Sequence, residues 1–160
     1  MNATIRKARP ADAAGILPIY NRLIRETTVT FLPTEKTIGE IEQAVEAADA
    51  YFVADVDGKI VGFASFGAFR AGAGYASVKE HSICLAVEAR GAGLGARLLD
   101  TLESEARAQG VRFMVAGISG ENTGGQIFHA AQGYNNVGHL PEIGEKFGRR
   151  LDLVLMQKRL

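Results

Sequence analysis

Three things are scarce in this chain of 160 residues: unbalanced charge, cysteine and long apolar runs. Its 18 Lys and Arg are matched by 18 Asp and Glu, for a formal net charge of zero. Such a balance gives no overall field to draw the chain to nucleic acid or an anionic membrane, so any anion site must be built locally. Cys84 is the single cysteine, which excludes an internal disulfide and fits a reducing compartment. The opening MNATIRKARPADAAGI has no apolar core of signal-peptide length, and no later run approaches the roughly 18 apolar residues of a membrane span. The expectation is a cytoplasmic chain with neither nucleic acid nor membrane as partner. The length suits a single domain, 1–160, around one core.

What is present is an alternation of helical and strand patterns without repeats or linkers, which predicts an α/β or α+β fold. Thr4 to Arg9 reads as a first strand. Asp12 is placed to cap a helix running to Thr27, with Ile16, Leu17, Tyr20, Leu23 and Ile24 on one side and Pro18 expected to kink or divide it. Thr37 and Glu40 make a capping box for an amphipathic helix carrying Ile38, Ile41 and Val45. YFVADV and KIVGFASFGAF flank Asp57-Gly58, a strong hairpin signal. SVKEHSICLAV is a further strand. Leu98, Leu99, Leu102 and Ala106 then repeat at helical spacing as far as Gly110, at which a helix would stop. VRFMVAGI is a buried-type strand, GGQIFHAAQ a short helix closed by Gly133, and YNNVGHL and RLDLVLMQ two last strands.

Between the SVKEHSICLAV strand and the helix lies RGAGLGARLL, residues 90–99. Glycines opening a helix can present unpaired N–H groups to an anion, or serve only as a flexible turn. A nucleotide-hydrolase loop requires Gly-Lys-Ser/Thr, whereas Gly95 is followed by Ala96 and Arg97. A dinucleotide fingerprint requires G-x-G-x-x-G in an early βαβ unit, and the spacing here is G-x-G-x-G in mid-chain.

Arg90, Gly93 and Gly95 match a third pattern, Arg/Gln-x-x-Gly-x-Gly/Ala between strand and helix, and here the chain resembles the GNAT superfamily of acyl-CoA N-acyltransferases. The resemblance narrows to the phosphinothricin and methionine sulfoximine acetyltransferases through IYNRLIRETTVTF, FASFGAFR, VKEHSI, IFHAAQGY, EIGEKFGR and LDLVLMQKRL. It implies the GNAT fold, a mixed, mostly antiparallel central sheet flanked by helices, acetyl-CoA as co-substrate, no metal, and a homodimer.

It also implies site residues. Glu80 stands where a glutamate removes the ammonium proton of the acceptor, and partial burial would raise its pKa into a useful range. His129 stands where this subfamily has a histidine in place of the tyrosine of other members, as acid to sulfur or as a group that orients the reaction. Tyr134 is expected to pack in the core. The backbone of Leu85, Ala86 and Val87 would bind the pantetheine arm like an added strand. Arg90, Gly91, Ala92, Gly93, Leu94, Gly95 and Ala96 would hold the pyrophosphate, and Asn122 would bond the arm. Arg97 would assist the phosphates or lie on a solvated helix face. For the acceptor, the matching positions are Phe31, Arg70, Ala73, Gly74 and Tyr75, with Arg70 the candidate for a carboxylate. His81 and Cys84 have H-x-x-C spacing but no second ligand pair in register, and Cys84 has no evident partner to activate it.

The chain departs from the subfamily at two places usually held by tryptophan, now Phe69 and Arg150, and in a turn near Gly72 that has lost bulk. These changes bear on which amine is accepted. The first expectation is therefore N-acetylation of the α-amino group of a small amino-acid-like molecule. The alternatives are acetylation of protein N-termini and a non-catalytic acyl-CoA sensor.

Overall fold

The computed structural model describes residues 2–160. Its strands are β1 (Thr4–Lys7), β2 (Ala50–Val56), β3 (Lys59–Ala68), β4 (Val78–Leu85), β5 (Phe113–Ser119), β6 (Asn135–Lys146) and β7 (Arg149–Arg159). Four α-helices accompany them: α1 (Ala13–Glu26), α2 (Ile38–Ala47), α3 (Leu94–Ala108) and α4 (Thr123–Ala131). The strands form one sheet in the order β1-β2-β3-β4-β5-β7-β6, antiparallel everywhere except between β4 and β5. The mixed, mostly antiparallel sheet expected from the sequence is the one observed.

Alternation along β2 and β3 explains the two layers of helix. Phe52, Ala64 and Phe66 face α3, whose Leu98, Leu99, Leu102 and Ala106 make the apolar stripe read from the sequence. Tyr51, Val53 and Phe63 point the other way, onto Ala13 and Ile16 of α1 and Ile41 and Val45 of α2. Side chains two apart share a face of a strand, and those three or four apart share a face of a helix. The Thr37–Glu40 capping box forms as expected, with Thr37 Oγ1 accepting from the Glu40 N–H at 3.2 Å and the Thr37 N–H donating to Glu40 at 2.7 Å. Asp57 and Gly58 both take positive φ, 51° and 87°, in the turn between β2 and β3.

The structure corrects several local expectations. Asp12 does not cap α1 through its side chain. Its carboxylate accepts from Arg6 at 2.8 Å through both oxygens and from the Arg9 N–H at 2.7 Å, closing a 3₁₀ turn at Pro10–Asp12. A buried ion pair with Arg6, shared with Asp55, outcompetes the cap. Pro18 does not divide α1, which runs unbroken through it. Ala14 and Pro18 are both exposed, so the carbonyl that the proline leaves unpaired lies on the solvent side. The strand expected at YNNVGHL continues to Lys146. It lies at the edge of the sheet, where Pro141 removes no ladder bond that the fold needs. A register shift between Leu140 and Gly144 absorbs the extra residues, with Glu142 at φ 54° and its N–H donating to Asp152 of β7 at 2.8 Å.

The far end of β6 carries a buried charge. The Lys146 ammonium, 4% exposed, donates to the carbonyls of Thr27 and Thr30 at 2.7 Å each, pinning the segment after α1 to the sheet edge. Replacing Lys146 with Met strands both carbonyls. We expect a loss of about 1–3 kcal/mol of stability, read as a lower urea midpoint at unchanged m value.

Candidate active site

The one parallel pair in the sheet creates the site. β4 and β5 are paired only at Val78–Phe113, Lys79–Met114 and Glu80–Val115. Beyond that point β4 continues to Leu85 and β5 to Ser119 without pairing to each other. The edge of β4 that faces β5 is thus open, and parting strands leave a cleft. Ser82, Ile83 and Cys84 line one wall and Ala116 to Ser119 the other.

At the wide end of the cleft lies a cavity of about 620 Å³, bordered by Arg90, Gly91, Gly93 to Ala96, Asn122, Phe128 and His129. Gly91 and Gly93 take positive φ, 78° and 73°, and α3 begins at Leu94. The first amide of this helix to bond back is Arg97, to the Gly93 carbonyl at 3.2 Å. The N–H groups of Gly91 to Ala96 have no hydrogen-bond partner among the described residues, beside the positive end of a 15-residue helix, whereas the Arg90 N–H bonds to the Val87 carbonyl at 3.3 Å. Such a nest suits a phosphate or pyrophosphate. Leu85 lines this cavity. Ala86 and Val87 border a separate concavity of about 900 Å³ against α1, which Leu85 and Arg90 also line. Arg97 is turned away from the loop, its guanidinium donating to the Ala3 carbonyl at 2.9 Å.

A smaller cavity of about 250 Å³ adjoins the first. Leu23, Val29, Ile83, Cys84, Asn122 and His129 line both, and Phe31, His81, Gly117 and Leu153 belong to the smaller one. Phe31 comes from the segment pinned by Lys146 and lies flat on Gly144 of β6, where a Cβ would fall 2.4 Å from its ring. Asn122 caps α4, its Oδ1 accepting from the Gly125 N–H at 2.9 Å. Glu80 is half-buried, and its Oε1 lies against Gly117, 3.0 Å from where a Cβ there would stand. Burial raises its pKa above the ordinary carboxylate value.

His129 is buried beneath the shared wall. Its Nδ1 lies 2.7 Å from the Gly125 carbonyl and its Nε2 lies 3.0 Å from His81 Nε2, so both ring nitrogens are engaged. Burial lowers its pKa, against opposing pulls from the Gly125 carbonyl and the Glu103 charge. His81 is more deeply enclosed, and burial with the neighbouring His129 pushes it down to about 3 against an opposing pull from the Val115 backbone. Tyr134 packs edge-on against both imidazoles and donates to Glu103 at 3.0 Å, a core position as expected. Glu103 itself is 2% exposed and is matched by Lys158 at 2.6 Å. Cys84 points away from His81, because positions three apart on a strand face opposite sides. Burial pushes its thiol up to about 12, far from a nucleophilic thiolate.

The structure thus gathers Phe31, Leu85, Asn122, His129 and the glycine loop around two adjoining cavities, with Glu80 behind Gly117. Arg70, Ala73, Gly74 and Tyr75 are exposed on the loop between β3 and β4, with the Arg70 guanidinium 5.5 Å from the Tyr75 ring centre, and they line neither cavity. Sequence reasoning missed Lys146, Gly144 and Glu103. Only EIGEKFGR, already singled out by resemblance, marked that part of β6.

A model of the acetyltransferase (GNAT) family matches residues 16–134. A methionine sulfoximine/methionine sulfone acetyltransferase of Pseudomonas paraeruginosa is 37% identical over 100% of this chain and 96% of its own length. A phosphinothricin N-acetyltransferase of Alcaligenes faecalis is 34% identical over 98% of this chain and 82% of its own. Among solved structures, a putative acetyltransferase of Salmonella typhimurium, crystallised with acetyl-CoA, superposes with a TM-score of 0.95 at 35% identity, covering 100% of this chain and 95% of that one. A ribosomal-protein-alanine N-acetyltransferase of Brucella melitensis gives 0.94 at 37%, covering 98% and 99%. Nearly end-to-end likeness in sequence and backbone, added to the glycine loop and the parted strands, makes this chain a member of the GNAT family of acetyltransferases.

Proposed function

We propose that the chain, acting as one domain over 1–160, transfers acetyl from acetyl-CoA to the α-amino group of a small amino-acid-like acceptor of the phosphinothricin, methionine sulfoximine or methionine sulfone type. The observation that carries this reading is the adjacency of the two cavities: an amide nest suited to phosphate lies beside a small chamber, and Leu23, Val29, Ile83, Cys84, Asn122 and His129 line both. The open edge of β4 near Leu85 takes the pantetheine arm, with Asn122 opposite. Gly91 to Ala96 and Arg90 take the pyrophosphate. Acetyl-CoA supplies the activated acyl group as a thioester.

The residues of the chain then manage protons and position within a ternary complex. Glu80 accepts a proton from the acceptor ammonium, directly or through water, leaving a neutral amine able to attack. Backbone N–H groups on the open edge of β4 stabilise the oxyanion. His129, held by the Gly125 carbonyl at Nδ1 and by His81 at Nε2, orients the reacting groups from the wall that both cavities share. Phe31 shapes the acceptor chamber. Arg70, with Ala73, Gly74 and Tyr75 beside it, lies on the exposed β3–β4 loop outside both cavities, so its pairing with a carboxylate, which a guanidinium would hold by two parallel hydrogen bonds, is proposed only for an acceptor that reaches that loop. The Brucella likeness favours protein N-termini as a second acceptor class. Intact Glu80 and His129 weigh against a mere sensor of acyl-CoA. We place the protein in the cytoplasm, consistent with a free Cys84, and among the described residues no helix is long and apolar enough to cross a membrane. We further propose a homodimer, supported by exposed Val137, Ile143 and Phe147 along and just beyond the β6 edge, which sedimentation equilibrium would report as twice the chain mass.

The test is release of CoA thiol with methionine sulfoximine, methionine sulfone, phosphinothricin and N-terminal peptides. Turnover of the amino acids supports the reading, and turnover of peptides alone replaces it with the second. Glu80 works only when ionised, so its raised pKa predicts that kcat/KM falls on acidification while the pH is still above the ordinary carboxylate range. Glu80→Gln should lower turnover on the order of 10²-fold and remove that limb, with acetyl-CoA binding retained. Gly144→Ala, which drives a methyl group into the Phe31 ring, should raise the acceptor KM and leave the acetyl-CoA KM unchanged.

A further inference from the structure

Among the described residues, His81 Nδ1 is the one buried side-chain nitrogen or oxygen without a hydrogen-bond partner. An enclosed polar atom left unpaired is costly, and this one belongs to the strand that forms the cleft. His81 takes no part in the steps above, yet it touches His129.

The hydrogens of the pair follow from its neighbours. The Gly125 carbonyl can only accept, so at 2.7 Å it fixes a hydrogen on His129 Nδ1. In the neutral ring, His129 Nε2 is then a bare lone pair. With both rings neutral, the 3.0 Å contact closes only if His81 carries its hydrogen on Nε2, which leaves Nδ1 bare; the Val115 backbone of β5 lies beside His81 and favours its protonation, but no hydrogen bond reaches that nitrogen. From α3 the pair is faced by Glu103, neutralised by Lys158 of β7 and Arg107, and by Tyr134 after α4. Neighbouring Glu80 points to the opposite face of β4.

We propose that His81 is a positioning residue that sets the tautomer of His129: its Nε2–H donates to the bare His129 Nε2 across the 3.0 Å contact, so that the His129 Nδ1 hydrogen stays on the Gly125 carbonyl and the ring is held in one orientation. This rests on the reading of His129 as an active-site group.

The chain has three histidines, and His139 is exposed on β6, so two-bond ¹⁵N–¹H spectra of ¹⁵N-histidine-labelled protein can be assigned with His139→Asn and His129→Asn. The expected result is His81 protonated on Nε2 and His129 on Nδ1 at neutral pH; His129 protonated on Nε2 overturns the inference. In turnover, His81→Leu should lower kcat by about tenfold and shift the pH profile with the acetyl-CoA KM unchanged, and His81→Gln, whose amide keeps a donor near the Nε2 position, should restore kcat to within about threefold. Unchanged kcat and pH profile in a folded His81→Leu protein also overturn it. The wild-type spectra decide the matter if that variant does not fold. A wild-type protein that acetylates no amine defeats the proposed function and leaves the tautomer assignment standing or falling on the spectra.

Discussion

Hydrogen bonding between β4 and β5 stops after Glu80 and Val115, and the site depends on that interruption. An antiparallel neighbour at this position would have paired β4 to its end and filled the space with side chains. A parallel neighbour that parts after three residue pairs leaves an unpaired strand edge in the middle of a sheet, where an edge normally invites pairing with another chain. Here helices on both faces shield it. What remains exposed is a slot one strand wide, suited to an extended ligand that bonds as a strand does. The same interruption fixes the division of labour along β4, since Glu80 is its last paired residue on this side and His81 its first unpaired one.

Charge is managed within this frame by the backbone more than by side chains. A chain with no net charge has little field to offer a polyanion, and Arg97, the cation nearest the helix start in sequence after the loop, is spent on the Ala3 carbonyl. The attraction must come from aligned amides at the start of α3, with Arg90 exposed beside them. The amides are oriented by Gly91 and Gly93 in left-handed conformations that other residues adopt only with strain. This is why the loop is glycine-rich and carries no lysine.

The elements that were legible in the sequence are those set by local periodicity. The stripe on α3, the capping box at Thr37, the Asp57-Gly58 turn and the buried β5 each depend on residues close together in the chain. The glycine loop was legible as an anion site only in company with the order of elements around it. Asp12 was misassigned because its decisive partner, Arg6 of β1, is held in place by Asp55 of β2, far from Asp12 in the chain, and no local window contains all three. The second half of β6 was missed because Pro141 and Gly144 break the alternation that marks a strand, and only the edge position and the Asp152 contact permit them. The His81–His129 contact joins residues 48 apart through the folding of α4 onto β4, so H-x-x-C spacing called attention to the wrong partner of His81.

The acceptor side shows how such long-range terms separate specificity from chemistry. Phe31 follows α1 in the chain, but its place is set by β6: Gly144 receives the ring, and the Lys146 ammonium holds the carbonyls of Thr27 and Thr30 on either side of the turn. A lysine buried against carbonyls has three donors and uses two of them here, so it acts as a rivet whose strength depends on exclusion of water. None of these residues touches the glycine loop. Changes in this wall can therefore reshape the smaller cavity, which we propose for the acceptor, while the cleft built from β4, β5 and α3 keeps its form. The tryptophan positions now held by Phe69 and Arg150 are both away from the donor cleft, Arg150 at the start of β7 and Phe69 beside the exposed β3–β4 loop. Both departures thus lie outside the cleft between β4 and β5, and neither position lines either cavity.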